Sequence, residues 1–236
     1  MVAIAVIPAR SGSKSVKDKN LQPIGGASLL ELAIKSARES QVFARIICST
    51  DSEYYAELAT GFGAEVPYLR PSVLASDESS DLDVFSDLCY ALKLDEATLI
   101  GHLRPTTPMR DPKVIQQAFE TFLPLKSEFS ALRSVEEMSE SAFKTFCIGP
   151  SGNLMPAFRE LDLHAANMPR QAFAKTFSAN GYVDLLKVET IMTGTLHGHN
   201  CLAFETERTI EIDSLADLEL ARAVYAWKTR RASDNE

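Results

Sequence analysis

The sequence is short of cysteine, of positive charge and of long apolar runs, and each shortage closes off a class of protein. Four cysteines, Cys48, Cys89, Cys147 and Cys201, are scattered over 236 residues without C-x-x-C spacing. Packed, reduced thiols are therefore expected, not a disulfide framework or a zinc site. No stretch of about 20 apolar residues is present to span a bilayer, and no basic-then-apolar leader, so the expected location is cytoplasmic, with no membrane partner. Lys and Arg number 24 against 32 Asp and Glu, a formal net charge of −8. That balance disfavours general nucleic-acid binding, which neutralises many phosphates. Internal repeats and low-complexity tracts are also missing, and disorder is expected only at the polar tail, residues 231–236. With 45% hydrophobic and 24% charged residues, the chain reads as one soluble globular domain over 1–236.

Against that acidic background the loop Ile7-Pro8-Ala9-Arg10-Ser11-Gly12-Ser13-Lys14-Ser15-Val16-Lys17-Asp18-Lys19-Asn20 stands out, with four cations among small residues. It follows an apolar run, residues 1–7, that has the composition of a buried parallel strand. Ser28-Leu29-Leu30-Glu31 then has capping-box spacing for a helix start. In open α/β sheets ligands bind beyond the carboxyl ends of strands, so the loop lies where a site is expected. Neither the G-x-G-x-x-G fingerprint nor the Walker spacing is present. An anion would instead be held by backbone amides at Ser11, Gly12 and Ser13 with charge from Arg10 and the lysines. A solvated basic turn is the alternative.

Strand and helix alternate beyond the loop. Strands are expected at 45–48, 66–69 and 98–103, and helices after Ser49-Thr50-Asp51, over 82–94, and from Asp111 to about Phe122. Such alternation implies an α/β fold with a mostly parallel sheet and helices on both faces. Residues 136–195 break the rhythm and read as an inserted flap with short strands. Near the carboxyl terminus, Thr209-Ile210-Glu211-Ile212-Asp213 alternates with period two, which places Glu211 and Asp213 on one face of a short strand. Two such carboxylates suit Mg²⁺, which completes its shell from phosphate and water. The other reading is that Asp213 merely ends a strand, with Ser214 and Asp217 capping a helix over 215–227. His197-Gly198-His199 reads as a surface turn, since no third ligand accompanies it. Phe173 and Phe177 read as flap packing or dimer contacts.

Taken in order, the basic loop with Lys19-Asn20, Ser49-Thr50-Asp51, Arg70-Pro71 with Leu74-Ala75-Ser76-Asp77, Arg104-Pro105-Thr106-Thr107-Pro108, Pro169-Arg170-Gln171, Asn180-Gly181 and Glu211-Ile212-Asp213 resemble the CMP-sialic acid synthetases, the cytidylyltransferases that activate nonulosonic acids. The likeness runs over nearly the whole chain. It implies a three-layer, Rossmann-like nucleotidyltransferase fold whose flap mediates a homodimer. It also implies transfer of CMP from CTP to the anomeric hydroxyl of a nonulosonic acid, with Mg²⁺ and release of pyrophosphate. By the same resemblance Arg10 and Lys19 hold the triphosphate, Ser11, Gly12 and Asn20 contact nucleotide, and Arg70 faces the cytosine. Lys144 and Arg170 serve the sugar carboxylate, and Asp213, with Glu211, binds the metal. Arg104 stands where the family usually has glutamine, and Ser178 where it often has arginine, so the two departures fall near the sugar. A legionaminic- or pseudaminic-type acid is compatible with them. Transfer to Kdo or another sugar, or silent nucleotide-sugar binding, are the alternatives.

Overall fold

Alternate residues of the first strand are buried in opposite directions, which places a layer of helices on each side of it. The computed structural model describes residues 2–158 and 160–233. In chain order the strands are β1 (Ala3–Pro8), β2 (Pro23–Ile24), β3 (Ala27–Ser28), β4 (Arg45–Ser49), β5 (Leu99–His102), β6 (Ala131–Glu137), β7 (Phe146–Ile148), β8 (Leu154–Pro156), β9 (Phe177–Lys187) and β10 (Cys201–Glu205). The α-helices are α1 (Leu29–Ser40), α2 (Glu53–Gly61), α3 (Asp81–Leu92), α4 (Pro112–Phe122), α5 (Val188–Met192) and α6 (Leu215–Ser233). Ala5 and Ile7 of β1 pack with α1, α2 and α4 through residues such as Leu30, Ala59 and Phe119. Ile4 and Val6 pack on the other face with Phe85 and Leu88 of α3 and Ile191 of α5. The result is the expected three-layer α/β arrangement.

The main sheet has the order β10-β6-β9-β5-β1-β4. All its strands run parallel except β9, which pairs antiparallel with both β5 and β6. Helix starts follow the sequence closely. Ser28 Oγ accepts the Glu31 N–H at 3.1 Å, and Asp111 caps α4 ahead of Pro112. A full reciprocal box forms at Ser80 and Asp83 at the head of α3. That helix stops at Leu92 because Lys93 turns left-handed, with φ of 50°, two residues before the expected end.

Three expectations need correction. Residues 66–69 form no strand. The extended pairing is confined to Glu65, whose N–H donates to Ile46 O at 2.7 Å and whose carbonyl accepts from Cys48 N–H at 2.9 Å, and Pro67 cannot donate to continue a ladder. Residues 209–213 are extended but belong to no strand; Ile212 N–H donates to Thr106 O at 2.8 Å, a single tie to the turn after β5. The excursion from the sheet is also narrower than 136–195. It runs between the end of β6 and the start of β9, and β9 is itself an interior strand of the core. Asn180-Gly181 lies within β9 beside a register shift opposite Arg133 and Val135. Helix α6 extends past Trp227 through Ser233, so the expected disordered tail begins in helix, and its last three residues lie outside the described residues. The cysteines are free, with Cys48 and Cys89 buried and Cys147 exposed.

Candidate active site

The basic loop is shaped at both ends before any ligand is considered. Ala9 N–H donates to Ser49 O at 2.9 Å, so the loop leaves β1 beside the end of β4. Gly12 has φ of 72° and a Cβ there would meet nothing within 4 Å, so the glycine serves backbone conformation and not close packing. Further on, Val16 is buried with Ile24, Leu29, Ile212, Leu218 and Ala221, which fastens the loop to α6 and to the segment that carries Asp213. Lys19 completes that junction. Its Nζ donates to Ile212 O at 2.9 Å and lies 3.3 Å from Asp213 Oδ1.

Two more loop cations, Arg10 and Lys14, are held by one carboxylate, Asp77. Arg10 donates to Asp77 Oδ1 at 2.6 Å and to Ala75 O at 3.0 Å, while Lys14 reaches Asp77 Oδ2 at 2.6 Å. Ser11 turns to Asp51, donating from its backbone N–H at 2.7 Å and from Oγ at 2.8 Å. Asn20 donates to Arg10 O at 3.0 Å and so braces the loop from within. Arg70 is buried and donates to Ser49 Oγ at 3.1 Å and Ser49 O at 2.5 Å; burial holds its pKa below the usual arginine value.

Arg10, Ser13, Lys19, Asn20, Arg70 and Arg104 share the wall of one cleft at the carboxyl ends of β1 and β5. All six were singled out in the sequence. Of the three loop residues expected to approach an anion, Ser13 lines the wall and Ser11 and Gly12 do not; the Ser11 amide is bonded to Asp51. Lys144 and Arg170 are in the flap and do not line the cleft of their own chain. Arg170 pairs with Glu137 and donates to Met138 O at 2.9 Å.

Glu211 and Asp213 differ in setting. The Asp213 side chain is 78% exposed, whereas Glu211 is half-buried against Gly181. A Cβ at Gly181, which has φ of 63°, would stand 3.4 Å from Glu211 Oε1. Burial, and then the charge of Asp213, raise the Glu211 pKa above the ordinary carboxylate value. A pair of mutually repelling carboxylates with an open side suits a cation that brings ligands of its own. No group of three or more His, Cys, Asp or Glu placed to hold a metal ion exists among the described residues, so they offer no closed cage of the zinc type. One or two carboxylates with phosphate oxygens is the magnesium pattern. The capping reading holds as well: at the start of α6 the Asp217 carboxylate accepts from Ser214 N–H at 2.8 Å, and Ser214 Oγ accepts from Asp217 N–H at 3.3 Å.

Two further elements of the site escaped the sequence. Arg110 is buried and donates to four backbone carbonyls, Thr107 at 2.6 Å, Arg104 at 2.6 Å, Gly181 at 2.8 Å and Tyr182 at 2.5 Å. It ties the proline-rich turn to β9. Asp184, fully buried on β9, faces His102 of β5 and Arg133 of β6 in register. A lone carboxylate inside the apolar run Tyr182 to Leu186 was the available signal. Burial pushes its carboxyl up, but the His197 hydrogen bond and the charges of Arg104 and Arg133 prevail and keep it below the usual range. His197 therefore belongs to this buried cluster, at 3.3 Å from Asp184 Oδ2, and not to a free surface turn.

Comparison with known proteins agrees with this architecture. Residues 4–147 match the sequence model of the family described as Cytidylyltransferase. The chain is 30% identical over 236 residues to the N-acylneuraminate cytidylyltransferase of Escherichia coli, covering 98% of this chain and 54% of that protein. It thus spans little more than half the length of that relative. It is 33% identical over 176 residues to the CMP-N,N'-diacetyllegionaminic acid synthase of Legionella pneumophila, covering 72% of this chain and 73% of that one. Among solved structures, a CMP:2-keto-3-deoxy-manno-octonic acid synthetase complexed with CTP superposes with a TM-score of 0.71 at 18% identity, over 97% of this chain and 100% of that one. The last likeness concerns the fold alone. A match that takes in the basic loop, helices α1 to α4 and four of the six strands of the main sheet, joined to identity that continues beyond it, makes this chain a member of the cytidylyltransferase family.

Proposed function

We propose that this protein transfers CMP from CTP to the anomeric hydroxyl of a sialic-acid-like nonulosonic acid and releases pyrophosphate. The observation that carries this reading is the joining of Lys19 to Asp213 across the mouth of a cleft lined by Arg10, Arg70 and Arg104. A triphosphate and a divalent cation can meet there, in a chain whose relatives at 30% and 33% identity are named for N-acylneuraminate and N,N'-diacetyllegionaminic acid.

Transfer at the α-phosphorus needs in-line placement of the attacking hydroxyl and neutralisation of charge on the phosphate oxygens. Arg10 and Lys19 neutralise from the loop side, and Asn20 fixes the loop through Arg10 O. Asp213, with Glu211 behind it, holds Mg²⁺, which when bound supplies charge stabilisation to the phosphate oxygens. Arg70 closes the nucleotide end of the cleft and Arg104 the acceptor end. Lys144 and Arg170 supply positive charge on the flap for the acid's carboxylate. The flap also exposes Ile148, Leu154, Met155, Leu163 and Met168, an apolar surface that fits burial against a second copy in a homodimer.

Pyrophosphate release, followed with CTP and with ATP, GTP and UTP in turn, tests the nucleotide half of the proposal. CTP with Mg²⁺ and a nonulosonic acid is expected to support release, and EDTA to stop it. Equal rates with all four nucleotides would overturn the assignment of CTP.

A further inference from the structure

The buried cluster around Asp184 is larger than packing requires. Asp184 Oδ2 lies 3.4 Å from Arg104 NH1, 3.3 Å from His197 Nε2 and 3.9 Å from His102 Nδ1, and Oδ1 lies 3.9 Å from Arg133 Nε. Several of its atoms lack a hydrogen bond: Asp184 Oδ1, Arg133 Nε and both ring nitrogens of His102. Orphaned buried polar groups are costly and uncommon, so their concentration in one row of three strands is a feature with a use. His102, wholly buried in the protein's own atoms, and Arg104 are both in the wall of the cleft, at its acceptor end.

Arg104 is anchored by two carboxylates. NH2 donates to Asp81 at 2.9 Å from the first turn of α3, NH1 to Asp184, and its own carbonyl accepts from Arg110 at 2.6 Å. The side chain is 19% exposed, so one edge of the guanidinium reaches the cleft while two corners are fixed from behind. Charges also cancel: Arg104 and Arg133 balance Asp81 and Asp184. His102, with its pKa driven down to about 3 by burial, adds no charge. No surplus cation is left there to take a carboxylate.

We propose that Asp184 is a positioning residue for acceptor selection. With Asp81, it aims the remaining N–H groups of Arg104 at a neutral oxygen of the acceptor acid, a hydroxyl or an acyl carbonyl, beside the unpartnered imidazole of His102. This rests on the proposed transferase activity, because it assigns a role within that reaction. Asp184 touches no substrate and acts through Arg104.

The test is steady-state pyrophosphate release with CTP and each of N-acetylneuraminic, N,N'-diacetyllegionaminic and pseudaminic acids, in wild type, Asp184→Asn, Arg104→Gln and the double variant. Asp184→Asn is expected to raise KM for the best acid at least ten-fold and to leave KM for CTP within two-fold. In the Arg104→Gln background the same change is expected to move the acid KM less than two-fold, since coupled residues are not additive. The salt dependence of the acid KM is expected to match between wild type and Arg104→Gln; a flattened slope in the variant would place the carboxylate on Arg104 and overturn the neutral-oxygen assignment. An unchanged acid KM in Asp184→Asn, or equal losses in both backgrounds, would overturn the positioning role. Should Asp184→Asn fail to fold, Asp81→Asn removes the other, half-exposed anchor of the same guanidinium and is held to the same criteria. A wild type that turns over none of the three acids sinks the transferase reading and this inference together; an active wild type with an indifferent Asp184 sinks the inference alone.

Discussion

At the scale of single residues, the two acidic groups after β10 have different duties, and their surroundings say which. Asp213 is open and touches Lys19, so its removal takes away the proposed metal contact without disturbing a core. Asp213→Ala is expected to abolish turnover while the circular dichroism spectrum and melting temperature stay near wild type; substantial turnover in that variant would refute its metal role. Glu211 carries a raised pKa because burial and Asp213 oppose its charge. A carboxylate whose folded-state pKa is raised contributes its full stability below the unfolded pKa and loses it as pH rises through the folded one. Its ionisation at neutral pH is therefore a cost to the metal-free protein. Glu211→Gln is expected to raise the melting temperature at pH 7 in EDTA, with the gain vanishing as pH falls below the ordinary glutamate range. A lower melting temperature at pH 7 would contradict a net cost for the charged, half-buried carboxylate. Sequence alternation identified the pair, but only contact with Gly181 and Lys19 distinguishes the partners.

At the scale of elements, the segment from Arg70 to Ser80 acts on the basic loop through one carboxylate. Asp77 holds both Arg10 and Lys14 at 2.6 Å, the positions that a triphosphate would use. Exposed ion pairs are weak, so freeing the loop changes affinity only by a factor of a few. Asp77→Asn is expected to tighten CTP binding by that order in calorimetry without acceptor. Weaker binding would mean that Asp77 instead holds the loop in its receptive shape. Local chemistry made most elements readable: Ser28 and Asp111 mark helix starts by their capping oxygens, and β1 and β5 are apolar because both faces are covered. It failed where tertiary pairing decides. Pro67 ends a ladder that the apolar run 66–69 had suggested, and residues 209–213 alternate like a strand without a neighbour to pair with. Asn180-Gly181 sits in the middle of β9, where Gly181 supplies a left-handed kink close to Thr107 and Glu211. Arg110 and Asp184 stayed hidden because their partners are backbone carbonyls and cross-strand neighbours more than 70 positions away for Arg110 to Tyr182, and 80 for Arg104 to Asp184.

At the scale of the whole molecule, the flap leaves the sheet from the carboxyl end of β6, the same end at which the cleft opens, and carries an exposed apolar surface of its own. The β7–β8 hairpin leaves Ile148 78% exposed and Leu154 55% exposed, in a chain whose net charge of −8 otherwise favours separate molecules. Ile148→Glu is expected to shift sedimentation from dimer to monomer; a wild type that sediments as a monomer would contradict the homodimer. No helix among the described residues is long and apolar enough to cross a membrane. The measurement that bears most directly on the proposed function is mass spectrometry of the product formed from CTP, Mg²⁺ and a nonulosonic acid panel. The expected result is one CMP–acid conjugate, formed in step with pyrophosphate and absent when the acid is omitted. Pyrophosphate without a conjugate, or no conjugate with any acid while Kdo is converted, would contradict it.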